Sequence, residues 1–318
     1  MRLDLWHLSL NDALGFYRLL LKLLGATLRR GIRSERMKKA MIAAVGFIFL
    51  SFAAKCQAES GNQNILYSSA SAWNSHNRSI LLCNDLVKRQ YTEYEHLRLT
   101  QDCILDTEAG MLKGGSIRAR WQGSPFEKFK EEVFFEGEYR RLAGRTAYQG
   151  YLQFQSTLVP YSASTGNDLR DLRFRLGIPI VSGSDWQILP FAEYRAGNWA
   201  RGLTQYSEKF IYQAGALGFL GQWRFFHVWT VEGEVAVGRA IRTQVKVPSF
   251  NFSSTLPNRG SQAFGISINY EIESNFRAVF RAKRETNKYG QSANLSGVIQ
   301  PASKTISTGS ALGIEYQF

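Results

Sequence analysis

The last fourteen residues restrict what this chain can fold into more than any other stretch. From Thr305 onward, Ile306, Thr308, Ser310, Leu312, Ile314, Tyr316 and Phe318 share one parity, while Ser307, Gly309, Ala311, Gly313, Glu315 and Gln317 share the other. A period of two is the signature of a strand, here greasy on one face and small or polar on the opposite one. Domain termini in water are usually frayed and solvated, so an apolar strand that ends on an aromatic residue is out of place there. It suits the closing strand of a transmembrane β-barrel, which faces lipid, leaves no open edge and sets aromatics at the interface. The alternative is the edge strand of a β-sandwich.

The same grammar recurs upstream. Leu172, Phe174, Leu176, Ile178 and Ile180 alternate with Asp171, Arg173, Arg175 and Gly177, and the turn residues Ser182 to Asp185 follow. Trp186, Ile188, Pro190, Ala192 and Tyr194 alternate with Gln187, Glu193 and Arg195, although Leu189 and Phe191 interrupt the polar face. Trp229 to Val237 oppose Glu232 and Glu234, Phe264 to Ile272 oppose Ser267, Asn269 and Glu271, and Phe276 to Ala282 oppose Arg277, Arg281 and Lys283. Short turns near 182–185, 224–227 and 273–275 interleave with longer polar stretches near 156–167, 199–207, 242–260 and 289–304, the asymmetry expected of periplasmic turns and external loops.

The predicted fold class is therefore all-β, an antiparallel up-and-down transmembrane barrel of ten strands, with eight or twelve as alternatives, preceded by a helical leader and signal. Counting back from Phe318 gives seven strands down to residue 168, and evenness constrains the rest. Phe135, Gly137 and Tyr139 share one face and Tyr148, Gly150, Leu152 and Phe154 the other, so 132–155 is either a hairpin turning at 142–145 or one long strand with a bulge. Both readings give ten strands. With a hairpin, Cys83 and Cys103 both precede the barrel and can form a disulfide. With a long strand they sit at opposite ends of a strand, roughly 40 Å apart at about 3.3 Å per residue, and cannot.

The N-terminal region reads differently. Residues 1–36 read as a basic, helical leader, expected to reflect a start called too early with Met37 as the true beginning, the alternative being a long basic pre-region; residues 37–58 read as a signal peptide: Lys38 and Lys39, an apolar run, then Cys56-Gln57-Ala58. Residues 59–87 are a Ser- and Asn-rich periplasmic lead-in, and 88–318 the barrel. Ten Lys/Arg against three Asp/Glu fall before residue 59, so the net charge of +13 leaves only about +6 for the rest. Without a basic patch interleaved with stacking aromatics, no nucleic-acid partner is expected.

Glu93-Tyr94-Glu95, Glu108 to Gly114, Phe134-Phe135-Glu136-Gly137-Glu138-Tyr139-Arg140, Leu189 to Arg195 and Gly313 to Phe318 resemble a broad group of proteobacterial outer-membrane β-barrel proteins of the OmpA-like and omptin-like kind. The resemblance runs from about 90 to 318. It implies the outer membrane of a Gram-negative bacterium, contact with outer-membrane lipid and lipopolysaccharide, and an assembly signal at Tyr316 and Phe318 read by the barrel-assembly machinery. It also favours the long-strand reading of 132–155. These motifs are strand grammar and imply no activity.

With the apolar faces toward lipid, the inward charged set is Arg118, Arg120, Glu136, Glu138, Arg140, Arg173, Arg175, Glu193, Arg195, Glu232, Glu234, Glu271, Arg277, Arg281, Lys283 and Glu315, nine cations and seven anions. Mutual pairing of these charges predicts a filled lumen and a non-enzymatic structural or surface-binding role. The alternatives are a narrow porin-like channel leaning toward anions and an outer-membrane hydrolase acting on protein or lipid A. His96, Asp102 and Asp106 are the catalytic candidates for the last; no metal or cofactor site is expected, and the oligomeric state is left open.

Overall fold

The computed structural model describes residues 76–94, 104–124, 132–154, 157–182, 185–202, 207–225, 228–294 and 299–318. The leader, the signal, residues 59–75 of the lead-in, His96, Asp102 and Cys103 lie outside the described residues. Twelve strands follow in chain order: β1 (His76–Tyr94), β2 (Ile104–Gly123), β3 (Val133–Phe154), β4 (Thr157–Gly177), β5 (Val181–Ser182), β6 (Trp186–Gly202), β7 (Ser207–Phe225), β8 (Trp229–Val247), β9 (Phe252–Leu256), β10 (Asn258–Glu273), β11 (Phe276–Tyr289) and β12 (Ala302–Gln317).

Ten of these form a closed antiparallel barrel, because long strands consecutive in the chain pair and β12 pairs back onto β1 from Ser79 opposite Gln317 to Tyr94 opposite Ala302. Closure satisfies the ladder hydrogen bonds that an edge would leave to lipid. β5 is a two-residue addition to β6, and β9 covers the upper edge of β8 before Pro257 leads into β10. The closing strand is thus the seam partner of β1, as its alternation predicts.

The strands are far longer than a bilayer needs. β3 has 22 residues, and at roughly 3.3 Å per residue and a tilt of roughly 40° such a strand rises about 55 Å, about twice the ~25 Å apolar band of an outer-membrane barrel. Two storeys result. In the lower one Leu82, Phe135, Phe174, Phe219, Phe264 and Leu312 are exposed outward, while charged residues point in. In the upper one the faces exchange: Arg141, Arg145 and Lys88 are exposed outward, while Leu142, Leu169, Trp199, Phe210 and Val245 are buried inside.

This exchange resolves 132–155. β3 is one strand, and its pairings with β2 and β4 run without a register shift. There is no bulge and no hairpin: Phe135 and Tyr139 face lipid, Leu142 and Tyr148 face the interior, and the apolar parity changes because the strand leaves the bilayer between them. The barrel also begins at His76 rather than at 88, so the end of the expected lead-in is strand. The polar stretches 157–167 and 199–202 belong to β4 and β6 rather than to loops. Their outward faces meet water and need no apolar residues. Cys83 lies inside β1 and is a buried free cysteine.

Candidate functional site: a lumen filled in two storeys

All sixteen sequence-predicted charged residues lie on inward-facing parities, and nearly all are joined by short ion pairs. In the lower storey Arg120 bridges Glu136 at 2.9 Å and Glu232 at 2.6 Å. Arg175 reaches Glu136 (3.2 Å), Glu193 (2.8 Å) and Glu234 (2.6 Å). Arg118 contacts Glu136 at 3.5 Å and Arg281 contacts Glu138 at 3.0 Å. Glu271, Arg277 and Glu315 form a looser group at the lower rim, where Arg277 lies 3.6 Å from Glu271 and 4.0 Å from Glu315.

The hub of this web, Glu285, is a residue that sequence reasoning missed. One oxygen takes Arg173 (2.5 Å), Arg195 (2.8 Å) and Lys283 (3.1 Å), and the other takes Arg140 (3.2 Å). The signal was present, since Glu285 continues the parity of Arg281 and Lys283 along β11. Asp171, paired with Arg140 at 2.7 Å, was likewise read as polar but not as a member of the set. Below the web, Gln122, Gln187 and Gln222 form an amide chain that ends on Glu232. Leu189 and Phe191, which break the alternation of β6 in the sequence, turn inward with Phe134 and Leu220 as an apolar layer. The Arg175 guanidinium lies 4.6 Å from the Phe191 ring centre, so that layer also packs against the charges.

The upper storey closes over the web with an aromatic septum. Trp199 stacks on Phe210 at 4.8 Å and meets Tyr91 edge-on at 5.1 Å, with Leu112, Leu142, Leu169, Val245, Phe252 and Leu256 in the same cluster. Arg89 lies 4.2 Å from the Trp199 ring centre. Arg201 then gathers three carboxylates: Glu108 at 2.5 Å, Glu208 at 2.8 Å and Glu93 at 3.6 Å. Tyr91 donates to Glu93 at 2.6 Å, and Gln300 donates to the same carboxylate at 2.9 Å. Trp199 donates its indole N–H to Asn167 at 2.6 Å, and the Asn167 amide donates onward to Glu108 at 3.0 Å. With one guanidinium shared among several carboxylates, burial pushes Glu93 up to about 7, opposed by Arg201 and reinforced by Asp106. Burial raises Glu208 as well.

Of the catalytic candidates, Asp106 alone is described. It is buried, accepts a hydrogen bond from the Tyr151 backbone N–H at 2.9 Å, and sits in register opposite Glu93. With Asp85, Glu93, Asp106, Glu108, Asp171, Glu208 and Glu285 added to the carboxylates, and Arg89, Arg201 and Arg224 to the cations, the carboxylates outnumber these inward cations among the described residues. The cationic excess expected from the sequence is thereby reversed. Two lumen cavities, one beside Asp85, Arg281 and Lys283 and one beside Glu193, Arg195 and Ala214, measure about 30 Å³ each. That is room for no more than a water or two.

No family model and no curated protein matches this chain. Among solved structures, the outer membrane protease OmpT from Escherichia coli superposes with a TM-score of 0.51 at 10% identity, covering 77% of this chain and 97% of that one. The translocator domain of the autotransporter NalP from Neisseria meningitidis gives 0.40 at 12% identity, covering 84% and 98%. The first of these shares the fold: a closed antiparallel barrel of the outer-membrane type.

Proposed function

We propose that the chain is an integral outer-membrane protein whose barrel is a closed scaffold, structural or surface-binding in role, rather than a pore. The observation that carries this reading is the exchange of faces at one level around the wall. Below it the outside is apolar and the inside ionic; above it the outside is mostly polar, with Met111 and Tyr151 as exposed exceptions, and the inside holds an apolar core. Such a barrel is stable only when its lower half is in hydrocarbon and its upper half in water. The upper half then stands at the cell surface as a solid body sealed by Tyr91, Trp199 and Phe210, and offers its rim and outer wall for contact.

Whole-cell labelling with a membrane-impermeant maleimide tests the placement. In a background lacking native cysteines, Ala147→Cys on the outward upper wall is labelled on intact cells, whereas Phe135→Cys in the apolar band is not. Labelling of both, or protection of Ala147→Cys, contradicts it.

A further inference from the structure

The rim of the barrel has a step. β9 and β10 form one descending line broken at Pro257. The lower part pairs on both sides, with Gly260 opposite Arg239 of β8 and Asn258 opposite Tyr289 of β11. The upper part pairs with β8 alone, from Phe252 opposite Val247 to Leu256 opposite Thr243. β11 stops at Tyr289, and the described residues of its connection to β12 turn inward. There the Ser292 N–H donates to the Gln300 carbonyl at 2.9 Å, and the Gln300 amide reaches Glu93 inside the lumen at 2.9 Å. Above Tyr289 the far edge of β9 therefore has no neighbouring strand among the described residues, and the one main-chain bond on that side runs from the Gly290 N–H to the Pro257 carbonyl at 3.1 Å. Exposed edges are normally blunted by charge, proline or a covering element. The Phe-Ser-Ser-Thr-Leu run of β9 carries neither charge nor proline.

Lysines flank this edge on both sides of the step. Lys209 stands directly opposite Lys246 across β7 and β8, with Ser253 of β9 next in register, and Lys288 stands directly opposite Lys304 across β11 and β12. Register partners point to one face, so each couple is a like-charge contact that weakens the sheet locally. Lys209, Lys246 and Lys288 are exposed. Among the described residues, the one acid on the outward face of the upper storey is Asp168 on β4, already held by Arg141 and Arg170. On the inner side, Phe252, Leu256 and Tyr289 belong to the apolar cluster of the septum. We propose that the free edge of β9 receives an extended, acidic segment of another protein, which adds a strand in the line that β11 vacates. Strand alternation fixes the chemistry of that segment: acidic side chains outward among the lysines, apolar ones inward over Phe252, Leu256 and Tyr289. A second copy of this chain would bring two sets of lysines together, and a polyanion without a peptide backbone would leave the ladder unpaired. The inference deepens the surface-binding reading and rests on it.

The test uses the full chain folded in detergent and a fluorescein-labelled, end-capped heptapeptide of alternating glutamate and valine, with binding read by fluorescence anisotropy. Saturable binding that weakens as salt is raised is expected. No binding is expected for the matching lysine–valine peptide, or for the glutamate–valine peptide methylated at every backbone nitrogen, which keeps its charges and loses its ladder donors. Lys246→Gln, Lys288→Gln and Lys304→Gln combined should weaken binding about tenfold through the loss of three surface charges. Arg141→Gln with Arg170→Gln, on β3 and β4, should leave it unchanged. Equal binding of the methylated peptide would make this wall a general polyanion surface and overturns the edge site. The site is equally overturned if heat-modifiable wild type does not bind the glutamate–valine peptide, if its binding ignores salt, or if the triple lysine variant binds as tightly. An equal loss in the arginine variant, or a dimer in sedimentation that the peptide dissociates, has the same force. The whole-cell labelling of Ala147→Cys and Phe135→Cys reads membrane placement separately, so a barrel that binds the peptide but fails the labelling contradicts the placement alone.

Discussion

Glu285→Gln is the most informative single change in the lumen. The substitution keeps size and one hydrogen-bonding oxygen but removes the charge that Arg140, Arg173, Arg195 and Lys283 share at 2.5 to 3.2 Å. Four broken pairs would suggest a very large loss, but each cation keeps a second carboxylate. Arg140 retains Asp171 at 2.7 Å, Lys283 retains Glu234 at 2.7 Å, and Arg173 and Arg195 retain Glu193 at 3.5 and 3.4 Å. What remains is the loss of one partner from a buried, hydrogen-bonded ion-pair hub, which costs about 3–5 kcal/mol. Glu271→Gln is the comparison: its side chain is 32% exposed and its arginine lies 3.6 Å away, so it should cost less than about 1 kcal/mol. Guanidinium unfolding of detergent-folded protein, followed by tryptophan fluorescence, measures both. If Glu285→Gln lies within about 1 kcal/mol of wild type, or costs no more than Glu271→Gln, the web does not carry the energetic role assigned to it.

Two further outcomes are expected. Glu93 is pushed up to about 7 in the folded upper storey, above its unfolded value of about 4.3, so the folded state binds the extra proton. Stability is then full below about pH 4 and falls as pH rises toward and through 7, by on the order of 3 kcal/mol in all. Glu93→Gln should flatten this slope in unfolding measured across that range, and an unchanged slope would remove Glu93 as its source. At the other end, Phe318 stacks near Tyr316 at 5.9 Å, and its backbone N–H donates to the Arg78 carbonyl at 3.1 Å across the seam. Deleting it, or Phe318→Asp, should lower the amount of folded barrel in outer-membrane fractions if the assembly machinery reads this end, and normal levels would count against that role.

Much of the lower storey was legible in the sequence because lipid outside and charge inside impose a clean period of two. The Trp186 to Arg195 stretch gave β6 and its inward acid and base directly. The upper storey was harder to read for a definite reason. Above Arg141, Arg170 and Lys88 the outside meets water, so most apolar residues move to the inner face and most outer positions become small or polar, as at Arg145, Ser162, Ser164 and Lys209, with Met111 and Tyr151 as exposed exceptions. In β3 that exchange resembles a bulge, and in β4 the run Tyr161 to Asn167 resembles a loop, although the ladder continues through both. Arg201 and Glu208 were invisible for the same reason. Glu208 pairs with Arg201 itself, while the other carboxylates on Arg201, Glu93 and Glu108, lie on β1 and β2, roughly a hundred residues away in sequence, and only closure of the barrel brings them together. The two consecutive inward apolars Leu189 and Phe191 were seen, but as noise rather than as the floor of the lumen.

The central claim is that this barrel is closed along its length, by the ionic web below and by the septum of Tyr91, Trp199 and Phe210 above. Planar-bilayer recording on the purified, heat-modifiable protein tests it most directly. The account predicts a flat baseline at moderate voltage in both orientations, because the ionic web around Glu285 and the cluster of Tyr91, Trp199 and Phe210 fill the interior with paired charges and packed rings. A steady, ohmic conductance that appears with each inserted barrel would contradict it.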